Sequence, residues 1–227
     1  MPLPAAHLVR DTVLPRLLVP LVPGAVGRGP RRDAAGRPAL YLTLDDGPHP
    51  EGTPRLLDAL ARHDARATVF LSATAAAAQP ALVQRIVRAG HAVGSHGDAH
   101  RSAWRRLAAA VVADHARAAD GLEALIGAPL AGVRPPYGRV TPALLRWARR
   151  RGLRVVLWDL MPGDFAASAT PEHVAAAIRR YRRPGGIAVL HDGAPAALAA
   201  AALDLALPAL AADGYCFPPL PPWPTPS

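Results

Sequence analysis

Ala39-Leu40-Tyr41-Leu42-Thr43-Leu44 runs apolar and then stops at Asp45-Asp46-Gly47-Pro48. The run has the length and composition of a buried strand, and Gly47-Pro48 turns the chain out of it. Two adjacent carboxylates at the end of such a strand repel each other and resist dehydration. A cation beside them relieves both effects, with one carboxylate as its ligand and the other free to accept a proton. On its own, the doublet equally suits a strand-end pair that caps the next helix.

Short apolar runs alternate with helical patterns from there on. Segments 66–72, 91–95, 132–134, 154–160 and 186–190 read as strands, and a last short one begins at Tyr215. Leu56, Leu57, Leu60 and Ala61 recur at helical spacing, as do Leu82, Val83, Ile86 and Val87. Thr53-Pro54, Thr141-Pro142 and Thr170-Pro171 each place an N-cap threonine before a first-position proline. Long alanine-rich helices are predicted over 102–126 and 195–212. About seven alternations argue for a parallel α/β fold, open or closed into a barrel. Active sites of such folds gather at the carboxyl ends of strands. Asp45-Asp46, His96 with His100, Arg134, Asp164 and His191 all fall there.

Residues 1–38 are a separate segment in this reading, ahead of a catalytic domain over 39–217 and an extended proline-rich tail over 218–227. The apolar stretch Leu14 to Val26 is broken by Pro15, Arg16, Pro20 and Pro23. It is a poor signal-peptide centre and reads instead as a short helix packed on the domain or resting on a membrane surface. No apolar run is long enough to span a bilayer. The net charge is +9, and all 26 basic residues are arginine. Lysine and asparagine are both absent, which fits GC-rich coding. The arginines are scattered over helices without interleaved aromatics, so nothing builds a nucleic-acid interface. Their charge suits an anionic polymer. Cys216 is the single cysteine, a small core residue with no partner for a disulfide.

His96 and His100 are four apart, a spacing that on a helical turn sets two imidazoles on one face. With Asp46 they make a two-histidine, one-carboxylate set with open positions. Zn²⁺ suits it, and so do Co²⁺, Mn²⁺, Ni²⁺ and Fe²⁺. Asp45 is then left as the base toward a water that the cation acidifies. His191 is a natural acid for a leaving group. A backbone N–H in the turn Pro135-Pro136-Tyr137-Gly138 is a candidate oxyanion donor.

Thr43-Leu44-Asp45-Asp46-Gly47, His96-x-x-x-His100, Arg134-Pro135-Pro136-Tyr137-Gly138, Trp158 through Asp164-Phe165, and Leu190-His191 stand in the order of five motifs. In this the chain resembles the polysaccharide deacetylases, the NodB-homology domains of carbohydrate esterase family four. The resemblance spans about Ala39 to Tyr215. It implies a distorted (β/α) barrel of about seven strands and metal-dependent removal of acetyl groups, usually from N-acetylated sugars. It further implies Asp45 as catalytic base, Asp46, His96 and His100 as metal ligands, and the Tyr137 N–H as oxyanion donor. His191 is the implied general acid, Arg134 braces the carboxylates, and Asp164 orients the acid. Pro136, Tyr137, Trp158, Phe165 and Leu190 are the implied substrate-binding residues, with Trp158 and Leu190 in the wall around the acetyl methyl.

Three positions depart from the family pattern. Gly97 stands where Ser or Thr is usual and puts loop bracing in question. Phe165 replaces a common tryptophan, and Leu44 a common phenylalanine. The remaining histidines, His7, His49, His63, His91, His115 and His173, read as structural or solvated, and Asp98 as solvent-facing. The expected partner is an N-acetylated glycan bound by a monomer. The same motifs serve O-acetyl esters of a glycan such as xylan. A silent barrel that only holds metal and glycan is the rival of another class, and the presence of both base and acid speaks against it. Localisation stays open between the cytoplasm and the cell envelope.

Overall fold

The computed structural model describes residues 12–223. Helix α1 (Leu14–Leu18) runs into a 3-10 turn (Val19–Leu21), followed by β1 (Ala25–Val26) and β2 (Leu40–Asp45). Then come α2 (Gly52–Arg62), β3 (Ala67–Leu71), α3 (Ala73–Ala78), α4 (Pro80–Arg88) and β4 (Ala92–Ser95). The second half has α5 (Ala108–Ile126), α6 (Pro142–Arg150), β5 (Val155–Val156), α7 (Pro171–Tyr181), β6 (Gly186–His191) and α8 (Ala196–Ala212).

The regular sheet is parallel, in the order β4-β3-β2-β6, and β1 pairs separately with β5. Single bridges continue the pairing from β4 through Ser95↔Val133 and Val133↔Val155, and from Leu160 to Ala188 in β6. The architecture is thus the α/β arrangement expected, with a continuous ladder on one side and isolated bridges on the other. Every residue of β2 is buried, as in strands covered on both faces. Its side chains alternate. Leu40, Leu42 and Leu44 join the large cluster packed under the helices. Ala39 and Tyr41 point the other way, into a smaller inner cluster with Phe70, Val156, Ile187 and Cys216. Asp45 follows Tyr41 and Thr43 on that inner face.

Several elements differ from the sequence expectations. The strands expected at 132–134 and from Tyr215 are reduced to single bridges at Val133 and Cys216, because Pro135-Pro136 and Pro218-Pro219 cannot donate to a ladder. Helix α5 starts at Ala108, not near 102, since Arg105 takes a left-handed φ of 63°. Thr53 lies inside α2, not at its N-cap. Its hydroxyl accepts from the His49 N–H at 2.8 Å and donates to Asp192. Thr141 and Thr170 cap α6 and α7 as the Thr-Pro pattern requires.

Among the described residues, the segments before β2 and after α8 pack on the body. The C-terminal segment covers the amino ends of the strands: Leu40 N–H donates to the Cys216 carbonyl, Arg66 N–H to Phe217, and Leu220 N–H to the Thr68 hydroxyl. The opposite, carboxyl ends stay open. No described helix is long and apolar enough to cross a membrane.

Candidate active site

Asp45 ends β2 on its inner face, where Arg134 meets it. The Arg134 guanidinium is fully buried and donates to Asp45 Oδ1 at 2.7 Å and to the Thr43 hydroxyl at 2.8 Å. Its other nitrogens donate to the carbonyls of Val156 and Leu157, both at 3.1 Å. The Phe70 ring lies 4.1 Å beneath it. A buried cation is tolerable only when its donors are satisfied and a counter-charge is close, and here both conditions hold. The Asp45 carboxylate is consequently fixed in direction.

Asp46 leaves the ladder. Its φ of 73° ends the strand and brings its carboxylate to His100 Nε2 at 3.1 Å and His96 Nε2 at 3.4 Å. The His96 Nδ1–H donates to the Arg134 carbonyl at 2.9 Å, so Nε2 is the nitrogen left for a ligand. The three ligand atoms lie within 4.8 Å of one another. Two imidazole nitrogens and a carboxylate oxygen at this spacing fit a divalent cation. Burial pushes the Asp46 carboxyl up, but hydrogen bonds with His100 and His96 outweigh it and hold the group far below the usual carboxylate range.

The histidine pair does not sit on a helix, as its spacing suggested. Residues 96–100 form an irregular loop, with φ of 82° at Gly97 and 51° at His100. Among the five described non-glycine residues with positive φ, three are Asp46, His100 and Tyr137. Asp and His tolerate that region better than a bulky tyrosine does. Strain gathered at one place points to function there.

His191 ends β6 beside Asp45. Its Nδ1 meets Asp164 Oδ1 at 3.0 Å, and its backbone N–H donates to Asp164 Oδ2 at 2.6 Å. Phe165 packs edge-on at 5.2 Å. Burial alone would lower the imidazole pKa, but Asp164, with Asp45 and Asp46 behind it, raises it to about 9. The ring therefore carries its proton at neutral pH, well above the ordinary histidine value.

These groups floor a cavity of about 910 Å³. Tyr137, Trp158 and Phe165 line it, whereas Pro136 and Leu190 are buried and are not among its lining residues. Leu157 and Met161 stand in the wall in their place. Tyr137 stacks obliquely on His100 at 4.8 Å. Nothing in the sequence marks Thr43 and Phe70 as part of the site, since their roles exist only through Arg134. The N-terminal segment, expected as a short helix on the domain or on a membrane surface, forms a helix over Leu14–Leu18 that is part of the wall, a placement beside the site that the sequence does not signal.

Bracing of the 96–100 loop comes from behind. Gly97 N–H donates to the Ser95 hydroxyl at 3.3 Å, and Asp98 N–H to the buried Asp114 carboxylate at 3.2 Å. Asp98 itself accepts from Thr74 and pairs with Arg117. The other histidines stay out of the triad. His49 caps the turn into α2, His63 pairs with Asp204, and His91 accepts from Ala67 N–H. His115 is buried and His173 half-buried, each with a buried Nδ1 that has no hydrogen-bond partner. His7 lies outside the described residues.

Residues 32–156 match the family described as polysaccharide deacetylase. The chain is 33% identical over 202 residues to a chitooligosaccharide deacetylase of Bradyrhizobium sp., covering 83% of this chain and 92% of that one. It is 32% identical over 181 residues to a peptidoglycan-N-acetylglucosamine deacetylase of Bacillus cereus, covering 78% and 84%. A crystal structure of a peptidoglycan N-acetylglucosamine deacetylase in complex with 4-naphthalen-1-yl-N-oxidanyl-benzamide superposes with a TM-score of 0.81 at 28% identity, over 87% of this chain and 91% of that one. A family 4 carbohydrate esterase from Streptomyces lividans in complex with acetate gives 0.72 at 30% identity, over 79% and 91%.

Proposed function

Because the chain belongs to the polysaccharide deacetylase family, we propose that it is a metal-dependent hydrolase that removes acetyl groups from the nitrogen of N-acetylated sugars. The observation that carries this reading is the convergence of two separately held groups on one triad. Asp45 is clamped by Arg134, His191 is held by Asp164, and Asp46, His96 and His100, which follow the carboxyl ends of β2 and β4, line the same cavity. The similarity to chitooligosaccharide and peptidoglycan deacetylases supports an N-acetylglucosamine-type substrate.

Asp46, His96 and His100 would hold the cation, and the nitrogen-rich set favours Zn²⁺. When bound, it supplies Lewis-acid chemistry, polarising the acetamide carbonyl and making water easier to deprotonate. Asp45 takes a proton from the attacking water, with Arg134 fixing its direction. The Tyr137 N–H donates to the carbonyl oxygen as negative charge grows there. His191 gives its proton to the nitrogen as the C–N bond breaks. Acetate and a free amine result. Trp158, Phe165 and Leu157 exclude water around the acetyl methyl.

The test is acetate release from N-acetylglucosamine oligomers, peptidoglycan and acetylated xylan by protein stripped with chelator and reloaded with Zn²⁺ or Co²⁺. Release from the amide substrates restored by metal is the expected result. Release from xylan alone would replace the amide reading with an ester one, and no release from a fully loaded protein would remove the hydrolase reading.

A further inference from the structure

One wall of the catalytic cavity comes from the N-terminal segment. Leu14, Pro15, Leu18, Val19 and Val22 line it, in a cavity they share with Trp104, Tyr137 and Val140. The five N-terminal side chains carry no hydrogen-bonding group, so this wall cannot read sugar hydroxyls. It is also built in place. Arg16 turns inward, with Nε donating to the Asp159 carbonyl at 3.0 Å and its guanidinium pairing with the Asp159 carboxylate at 3.2 Å. Asp159 is buried, and β1 anchors the segment on β5. Pinning the only charged residue of α1 inward leaves Leu14 42% and Leu18 53% exposed beside the catalytic groups. Trp104, also in the lining and exposed, adds to that apolar surface. Contiguous exposed apolar surface of this kind marks a binding site.

We propose that the substrate is an N-acetylated sugar carried on an apolar aglycone, a hydrocarbon chain that lies along Leu14, Leu18 and Val22 while the sugar sits over Asp45 and His191. This rests on the deacetylase reading above. The aromatic side of the cavity, with Trp104, Tyr137 and Trp158, can stack on the sugar, whereas the aliphatic side has no side-chain polar group or ring for a second sugar and suits a hydrocarbon chain. At about 910 Å³ the cavity has room well beyond one acetamido sugar. The reaction is unchanged, since water adds to the acetyl carbon, the C–N bond breaks, acetate departs and the amine stays on the sugar. The aglycone contributes binding alone.

The experiment uses metal-loaded protein and two substrate series, N-acetylglucosaminides with methyl, butyl, octyl and dodecyl aglycones, each below its micellar concentration, and N-acetylglucosamine oligomers of increasing length. Each buried methylene is worth up to roughly fourfold, so kcat/KM is expected to rise by about tenfold or more from methyl to octyl. Leu14→Asn with Leu18→Asn, at positions already solvent-exposed, flattens that rise to about threefold or less, whereas Leu17→Asn, outside the cavity, keeps it. Rates independent of alkyl length, or rates that grow with the number of sugar units and not with alkyl length, overturn the inference and leave the deacetylase reading standing. If neither the glycosides nor the oligomers release acetate, the deacetylase reading falls. Tryptophan fluorescence titration then judges the inference, which is overturned if the octyl glycoside binds no more tightly than the methyl one.

Discussion

Asp45 and His191 are register partners, the last residues of β2 and β6, side by side at the carboxyl ends of neighbouring parallel strands. The ladder sets their spacing, and each has its own holder. Arg134 fixes one and Asp164 the other. The ligand triad is built differently, from residues that leave regular structure, two of them at positive φ. Rigid strands thus carry the proposed proton-transfer pair, and strained loops carry the proposed metal ligands.

Asp45→Asn keeps the shape of the side chain and removes its ability to take a proton. Turnover should fall by about 10²–10⁴ with cation stoichiometry unchanged, as read by acetate release together with elemental analysis. Wild-type turnover would remove Asp45 from the role of base.

The pH profile tests His191. A general acid must be protonated, so the activity it supports is present below its pKa and lost as pH rises through it. Asp164 raises that pKa to about 9 against the downward push of burial. In Asp164→Asn the push of burial is less opposed, and the alkaline limb of kcat/KM should move down by about 1 unit or more. An unmoved limb would mean that another group donates the proton.

Arg134 is a stability residue as well as a brace. Arg134→Met leaves the Asp45 carboxylate buried without its cation, which costs about 3–5 kcal/mol and should lower Tm by on the order of 10 °C. The double variant with Asp45→Leu should recover part of that loss, because it buries no charge. Equal Tm values for the single variant and wild type would show that Asp45 finds another partner.

Much of this was legible beforehand because buried parallel strands write continuous apolar runs, and the polar clusters fall at their ends. Thr141 and Thr170 announced their helices through a local hydrogen bond. What escaped depends on distant partners. Nothing near Phe70 in the chain says that a guanidinium stacks on it. The prolines of the N-terminal segment erase any helical period, so its place in the cavity wall left no pattern. The four-residue spacing of His96 and His100 suggested a helix, but a loop with left-handed residues brings the same two rings together.

Gly97 was the departure that put loop bracing in question, and its backbone supplies an answer. At φ of 82° a side chain is strained, and a Cβ there would stand 3.3 Å from Asp114 Oδ2. That carboxylate already receives the Asp98 N–H and pairs with Arg106 at 3.3 Å, so it has little freedom to retreat. A serine would add a hydroxyl acceptor or donor where Ser95 and Asp114 already serve the loop. Gly97→Ser is therefore expected to destabilise the protein by about 1–2 kcal/mol and to weaken cation binding by His96 and His100, without raising turnover. Thermal unfolding and a competitive Zn²⁺ titration read the two effects. Tighter binding or faster acetate release in Gly97→Ser would show that the loop lacks a brace that Asp114 does not provide.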